Sequence, residues 1–125
     1  MSILKDALES GQFGITAEMA PPKGYDFTEQ MEAAELLRGK VHAVNVTDMQ
    51  SASLKATGLG LCIKLKQAGV EPILQMTGRD RNRMALMGDA LAAAAFGIDT
   101  MLALTGDNRG DKVYGDRSGC VPLWC

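Results

Sequence analysis

No stretch of this chain is apolar for long enough to cross a bilayer. The longest strongly apolar run, Ala90 to Gly97 with its four consecutive alanines, falls far short of the about 20 residues a membrane helix needs. A basic surplus is missing too: thirteen Lys and Arg stand against fifteen Asp and Glu, for a net charge of −2. Phosphate-backbone binding relies on cationic excess, so nucleic acid is not expected as a partner. Cysteine and histidine are scarce. Cys62, Cys120 and Cys125 form an odd set without framework spacing, and the single histidine, His42, is remote from them, so neither a disulfide scaffold nor a metal site is expected. The first ten residues place acidic side chains early and carry no apolar stretch after Lys5. They do not read as a signal peptide, and a cytoplasmic location is the expectation.

What is present is the composition of one globular domain. The 125 residues are 46% hydrophobic and 22% charged, near the averages for folded proteins, which excludes disorder and collagen-like repetition.

Apolar segments recur at a nearly fixed distance: Phe13-Gly-Ile-Thr-Ala, His42-Ala-Val-Asn-Val, Pro72-Ile-Leu-Gln-Met and Thr100-Met-Leu-Ala-Leu, their starts separated by 29, 30 and 28 residues. Each is short enough for a buried strand, and the last three follow Gly39, Gly69 and Gly97, which suit helix ends. The intervals predict helices over about 28–38, 53–68 and from Asp80 onward, with a shorter one over Leu4 to Glu9. Met31, Ala34 and Leu37 mark the apolar face of the first interval; Leu54, Leu61 and Leu65 that of the second; Met84, Met87 and Leu91 that of the third. Asp80 suits an N-cap for the third helix, and Gly88 and Ala92 suit close packing on a sheet.

Strands alternating with helices at this period predict βαβ units, hence an α/β fold with a parallel sheet of about four strands. Four strands fit an open doubly wound sheet or half of an eight-stranded barrel. A complete (β/α)8 barrel takes about 250 residues, so this chain can hold only its first half. The expected organisation is a partial barrel over residues 1–104 and a Gly-rich loop with a divergent tail over 105–125, where the helical pattern is absent and the only tryptophan, Trp124, falls.

Ligands of parallel α/β proteins bind at the carboxyl ends of the strands. The residues there are Glu18, Thr47, Thr77 and Thr105, with Gly106 and Asp107 following the last. Glu18, between Ala17 and Met19-Ala-Pro-Pro22, has apolar neighbours that would raise a carboxyl pKa by desolvation and suit a general acid; otherwise it caps the loop before the double proline. Asp107 is placed to bind a cationic centre or the N–H groups of a heterocycle, or to form a turn. Gly58-Leu-Gly60 lacks the third glycine of a dinucleotide fingerprint and lies inside a predicted helix, so that reading is rejected. Arg79, Arg81 and Arg83 could meet a phosphate, but a solvated helix start is the favoured expectation. His42 begins a strand and reads as structural, and the eight methionines read as core filling.

Four motifs occur in order: Thr-Ala-Glu18-Met-Ala-Pro-Pro, Val-Asn-Val-Thr47-Asp, Pro-Ile-Leu-Gln75-Met-Thr and Ala-Leu-Thr-Gly-Asp107. Over about residues 1 to 114 the chain resembles the N-terminal half of methylenetetrahydrofolate reductase, a (β/α)8 barrel, and most closely the short bacterial form without a regulatory domain. The resemblance implies reduction of 5,10-methylenetetrahydrofolate to 5-methyltetrahydrofolate through bound FAD, with NADH, NADPH or another electron donor. It implies Glu18 as the acid that opens the imidazolidine ring and Asp107 as the charge near flavin and pterin. Flavin contacts are implied for Thr47, Gln75, Leu104, Thr105, Gly106, Asp107 and Tyr114. Gln75 stands where many members carry histidine, and Thr105 where an arginine is common. The competing expectation is a non-enzymatic half-barrel that pairs with itself or a partner subunit through its open edges.

Overall fold

The computed structural model describes residues 2–106. Four strands, β1 (Thr16–Met19), β2 (Ala43–Val46), β3 (Pro72–Thr77) and β4 (Met101–Leu104), alternate with four helices, α1 (Ile3–Glu9), α2 (Thr28–Leu37), α3 (Gly58–Gln67) and α4 (Arg83–Ala95). They form one sheet in the order β1-β2-β3-β4, with every neighbouring pair parallel. A doubly wound sheet reverses its strand order at a switch point. This one does not reverse, and its sequential parallel order is that of half a (β/α)8 barrel.

The repeat has a local cause at each helix end. Gly39, Gly69 and Gly97 take φ values of +72°, +76° and +72°, a left-handed conformation that costs other residues about 1–2 kcal/mol. After the last two, Val70 N–H donates to the Leu65 carbonyl and Ile98 N–H to that of Ala93, each at 2.9 Å. The chain thereby turns back, and the apolar residue after the glycine is buried just before the next strand.

The core lies between the sheet and its helices. Met19, Val44, Val46, Leu74 and Met76 from the strands meet Ala34 of α2, Leu61, Cys62 and Leu65 of α3, and Ala93 of α4. Alternation turns the other residues of the strands to the opposite face. There the register sets Glu18 beside Asn45, Asn45 beside Ile73, and Gln75 beside Leu102. Strand β4 is exposed along its whole length.

Several expectations are corrected. The first strand begins three residues later than its apolar segment, because Phe13 is 86% exposed and the ladder starts at Thr16 opposite Ala43. His42 holds that entry: its Nδ1 accepts from Ile15 N–H at 3.0 Å and its own N–H donates to the Ile15 carbonyl at 2.8 Å. The second helix interval shortens to Gly58–Gln67, leaving Leu54 exposed outside it. Helix α4 starts at Arg83 and is capped by Asn82, whose side chain accepts from Ala85 N–H at 2.9 Å, rather than by Asp80. Its buried face is also different. Leu86, Ala90 and Ala93 pack on the core, whereas Met84, Met87 and Leu91 are exposed, and no atom comes within 4 Å of a methyl group placed on Gly88.

Candidate functional site

At the carboxyl ends of the strands lies an open cleft of about 340 Å³, lined by Glu18, Thr47, Asp48, Gln50, Ser51, Gln75, Thr77, Leu104 and Gly106. Six residues singled out from the sequence, Glu18, Thr47, Gln75, Thr77, Leu104 and Gly106, therefore share one wall system. Thr105 follows β4 and is exposed. Asp107 and Tyr114 lie outside the described residues.

Glu18 is an internal residue of β1 rather than one just beyond it, and its side chain is exposed on the open face of the sheet. The desolvation expected from its apolar sequence neighbours is not found, since Ala17 and Met19 point to the opposite face. Thr47 directly follows β2, and its N–H donates to the Met19 carbonyl at 3.0 Å. It is only 3% exposed, yet its Oγ1 has no hydrogen-bond partner among the described residues. A buried hydroxyl in that condition costs free energy unless a ligand or water satisfies it. Asn45 Oδ1, beside Glu18 in the ladder, is likewise buried and unpartnered.

The α3 N-terminus passes directly beneath these residues. Thr57 caps it, accepting from Gly60 N–H at 3.4 Å. A methyl group on Gly58 would lie 3.4 Å from the Thr47 carbonyl oxygen and 3.6 Å from that of Gln75. Gly58 thus lies in van der Waals contact with the sheet backbone at the start of α3, inside a helix rather than in a strand-to-helix phosphate loop. Gly106 has φ +87°, and a methyl group there would sit 3.2 Å from Arg79 Cβ.

The residue that sequence reasoning missed is Asp48. Its side chain is fully buried, and it faces Arg81, which is 14% exposed. Arg81 Nη1 donates to Asp48 Oδ2 at 2.5 Å and Nη2 to Oδ1 at 3.0 Å. Thr77 adds its N–H at 2.9 Å and its hydroxyl at 2.8 Å to the same Oδ2. Burial alone would raise the Asp48 pKa, but the Arg81 and Thr77 hydrogen bonds, with the guanidinium charge, outweigh it and hold the carboxyl below its ordinary value. Asp48 in turn raises the Arg81 guanidinium further above its usual range. The expectation that Arg79 and Arg81 form a solvated helix start is therefore corrected for both, because the Arg79 side chain is only 9% exposed. A signal was available in the period: Asp48 and Thr77 are 29 residues apart, one strand-helix repeat, so they end neighbouring strands.

Cys62, fully buried on α3, has its thiol pushed up to about 12, first by burial and second by the Asp48 charge. Burial and that shift both disfavour the thiolate, the nucleophilic form. No group of three or more metal-ligating side chains occurs among the described residues, nor does any helix there reach the length and apolarity needed to cross a membrane. A larger surface hollow of about 600 Å³ lies away from the strand ends, lined by residues including Tyr25, Phe27, Glu32 and Lys64. Within it a Lys64 ammonium lies 5.9 Å from the Phe27 ring centroid, and the Thr28 hydroxyl donates to Asp26 at 2.6 Å.

The family model described as methylenetetrahydrofolate reductase covers residues 3–121. No curated protein matches the chain.

Proposed function

The chain belongs to the methylenetetrahydrofolate reductase family, and on that premise we propose that its strand-end cleft is the flavin and folate face of a reductase acting on 5,10-methylenetetrahydrofolate. The observation that carries the reading is the convergence of Glu18, Thr47, Gln75, Leu104 and Gly106 on one cleft that contains a buried, unpartnered Thr47 hydroxyl.

The residues present fit a flavin. Thr47 Oγ1 offers a hydrogen bond that nothing in the described chain uses, and the Gln75 amide can both donate and accept beside it. Leu104 supplies an apolar surface, and Gly106 lets the backbone approach closely. Bound there, FAD would supply a hydride to the folate carbon. The chain's own work is to hold the substrate and to move a proton. Glu18, on the open face, donates that proton to the folate nitrogen that leaves as the imidazolidine ring opens, so the ring carbon becomes an iminium ready for reduction. Asp107 belongs to the same proposal as the negative charge beside that cation.

The test is to join the remaining four β/α units of a family barrel after this half and to follow flavin absorbance. Binding of FAD and reoxidation of the reduced flavin by methylenetetrahydrofolate support the reading. FAD binding without folate-dependent reoxidation would contradict it.

A second reading is favoured by the edges. Ile15 beside β1, and Met101, Leu102 and Leu104 on β4, are all exposed apolar residues at the two ends of the sheet. A non-enzymatic half-barrel that pairs through these edges would show association without flavin or folate chemistry.

A further inference from the structure

The connection from β2 to α3 contains three non-glycine residues in the left-handed region: Met49 at φ +48°, Ser51 at +58° and Ala52 at +54°. Such residues persist only where the surroundings over-determine them, and they concentrate at functional sites. Gln50 and Ser51, within this segment, line the cleft. What holds the segment comes from the next connection along the sheet. Arg79 Nη2 donates to the Met49 carbonyl at 3.0 Å. Arg81 grips both carboxylate oxygens of Asp48, the residue immediately before the segment, and also donates to the Thr77 carbonyl at 3.3 Å. Arg81 Nε stands 3.0 Å from Asp89 on α4, which fixes the guanidinium from its other side. From the opposite flank, Ala56 N–H donates to the Pro22 carbonyl at 2.8 Å. Arg79 also packs against Gly106, so the same side chain meets the exit of β4.

We propose that Arg79 and Arg81 are positioning residues of the cleft, and that through Met49 and Asp48 they hold the 49–52 segment in the left-handed shape that makes Gln50 and Ser51 a wall of the ligand site. The inference rests on the flavin and folate reading for what the wall contacts, but the positioning itself does not. Guanidinium is required because one planar fork must serve two oxygens of Asp48 and a third on Asp89. A lysine ammonium keeps the charge but not that geometry. The buried Asp48 charge remains compensated in an Arg81→Lys variant, so the fold is retained and the loss is local.

Amide hydrogen exchange on the 125-residue chain tests the positioning. In Arg81→Lys, amides of residues 49–53 should exchange at least about tenfold faster, while those of β2 and the α3 interior, and the melting temperature, stay close to the parent. Arg79→Lys, which gives up the fork reaching Met49 by another route, should loosen the same amides and keeps the question decidable if Arg81→Lys fails to fold. Unchanged exchange at 49–53 in the folded variants would overturn the assignment, as would a uniform acceleration across the sheet. In the barrel-completed protein, Arg81→Lys should weaken FAD on the order of tenfold, the net worth of about one hydrogen bond from the displaced wall. A loosened segment with unchanged FAD affinity would remove the segment from the site. Failure of the parent to bind FAD would instead count against the flavin reading and leave the exchange result standing.

Discussion

At the residue scale, an exposed carboxyl carries the proposed chemistry and a buried one the stability of the site. Glu18 reaches the open face from within β1, where a substrate can contact it. In the barrel-completed protein, Glu18→Gln should slow flavin reoxidation by the folate substrate by about 10² to 10⁴-fold. Flavin binding should change little, because the amide preserves the shape. Stopped-flow absorbance measures the rate, and an unchanged rate would remove Glu18 from the mechanism. Asp48 governs stability instead. Its carboxyl pKa in the fold is below the ordinary value of 3.8, so its contribution is complete above that pH and is lost as pH falls through the folded value. Urea unfolding of the chain should therefore show a loss of stability below about pH 4, and Asp48→Asn should flatten that part of the profile. A variant profile parallel to the parent's would contradict the role given to the pair. The strand period pointed to Glu18 and Thr47, and both line the cleft, although Glu18 lies within β1 and only Thr47 follows its strand. Arg81 was not, since a basic residue before a helix reads as solvated until its partner 33 residues away is known.

At the element scale, periodicity located the four strands and four α-helices of the described residues but not always their faces or ends. Helix α4 shows why. Met84, Met87 and Leu91 make an apolar stripe at helical spacing, and so do Leu86, Ala90 and Ala93. The second stripe is the one buried, its two alanines small enough to let the helix lie close to the sheet. Hydrophobicity alone favours the larger residues of the wrong stripe. Strand β1 was displaced for a related reason, because Phe13 contributes hydrophobicity but no ladder hydrogen bond. Chemical denaturation distinguishes the two α4 faces. Leu91→Gln should alter stability by no more than about 0.5 kcal/mol, whereas Leu61→Ala, at a fully buried α3 position, should cost about 2–5 kcal/mol. A large loss from Leu91→Gln would mean that α4 packs through its other face.

At the scale of the whole molecule, the sheet has two ends and one open face. An eight-stranded barrel has no edges, whereas among the described residues β1 and β4 end the sheet with no further strand beside them. Parallel sheets are ordinarily covered on both faces. Here the helices cover one face, while Glu18, Gln75 and Leu104 line a cleft on the other. The half-barrel order was legible in the sequence through the strand period, since repeats of about 30 residues predict sequential parallel strands. The sequence could not show how the face would be completed, because that depends on surfaces outside these four units. On the function proposed above, these residues form one half of a flavin-binding barrel. The most direct test of that reading is light scattering of the 125-residue chain after size exclusion, run with and without FAD. The predicted result is a self-associated species carrying little or no flavin. A stable monomer with one FAD per chain would contradict it, because such a protein would have a complete ligand face of its own.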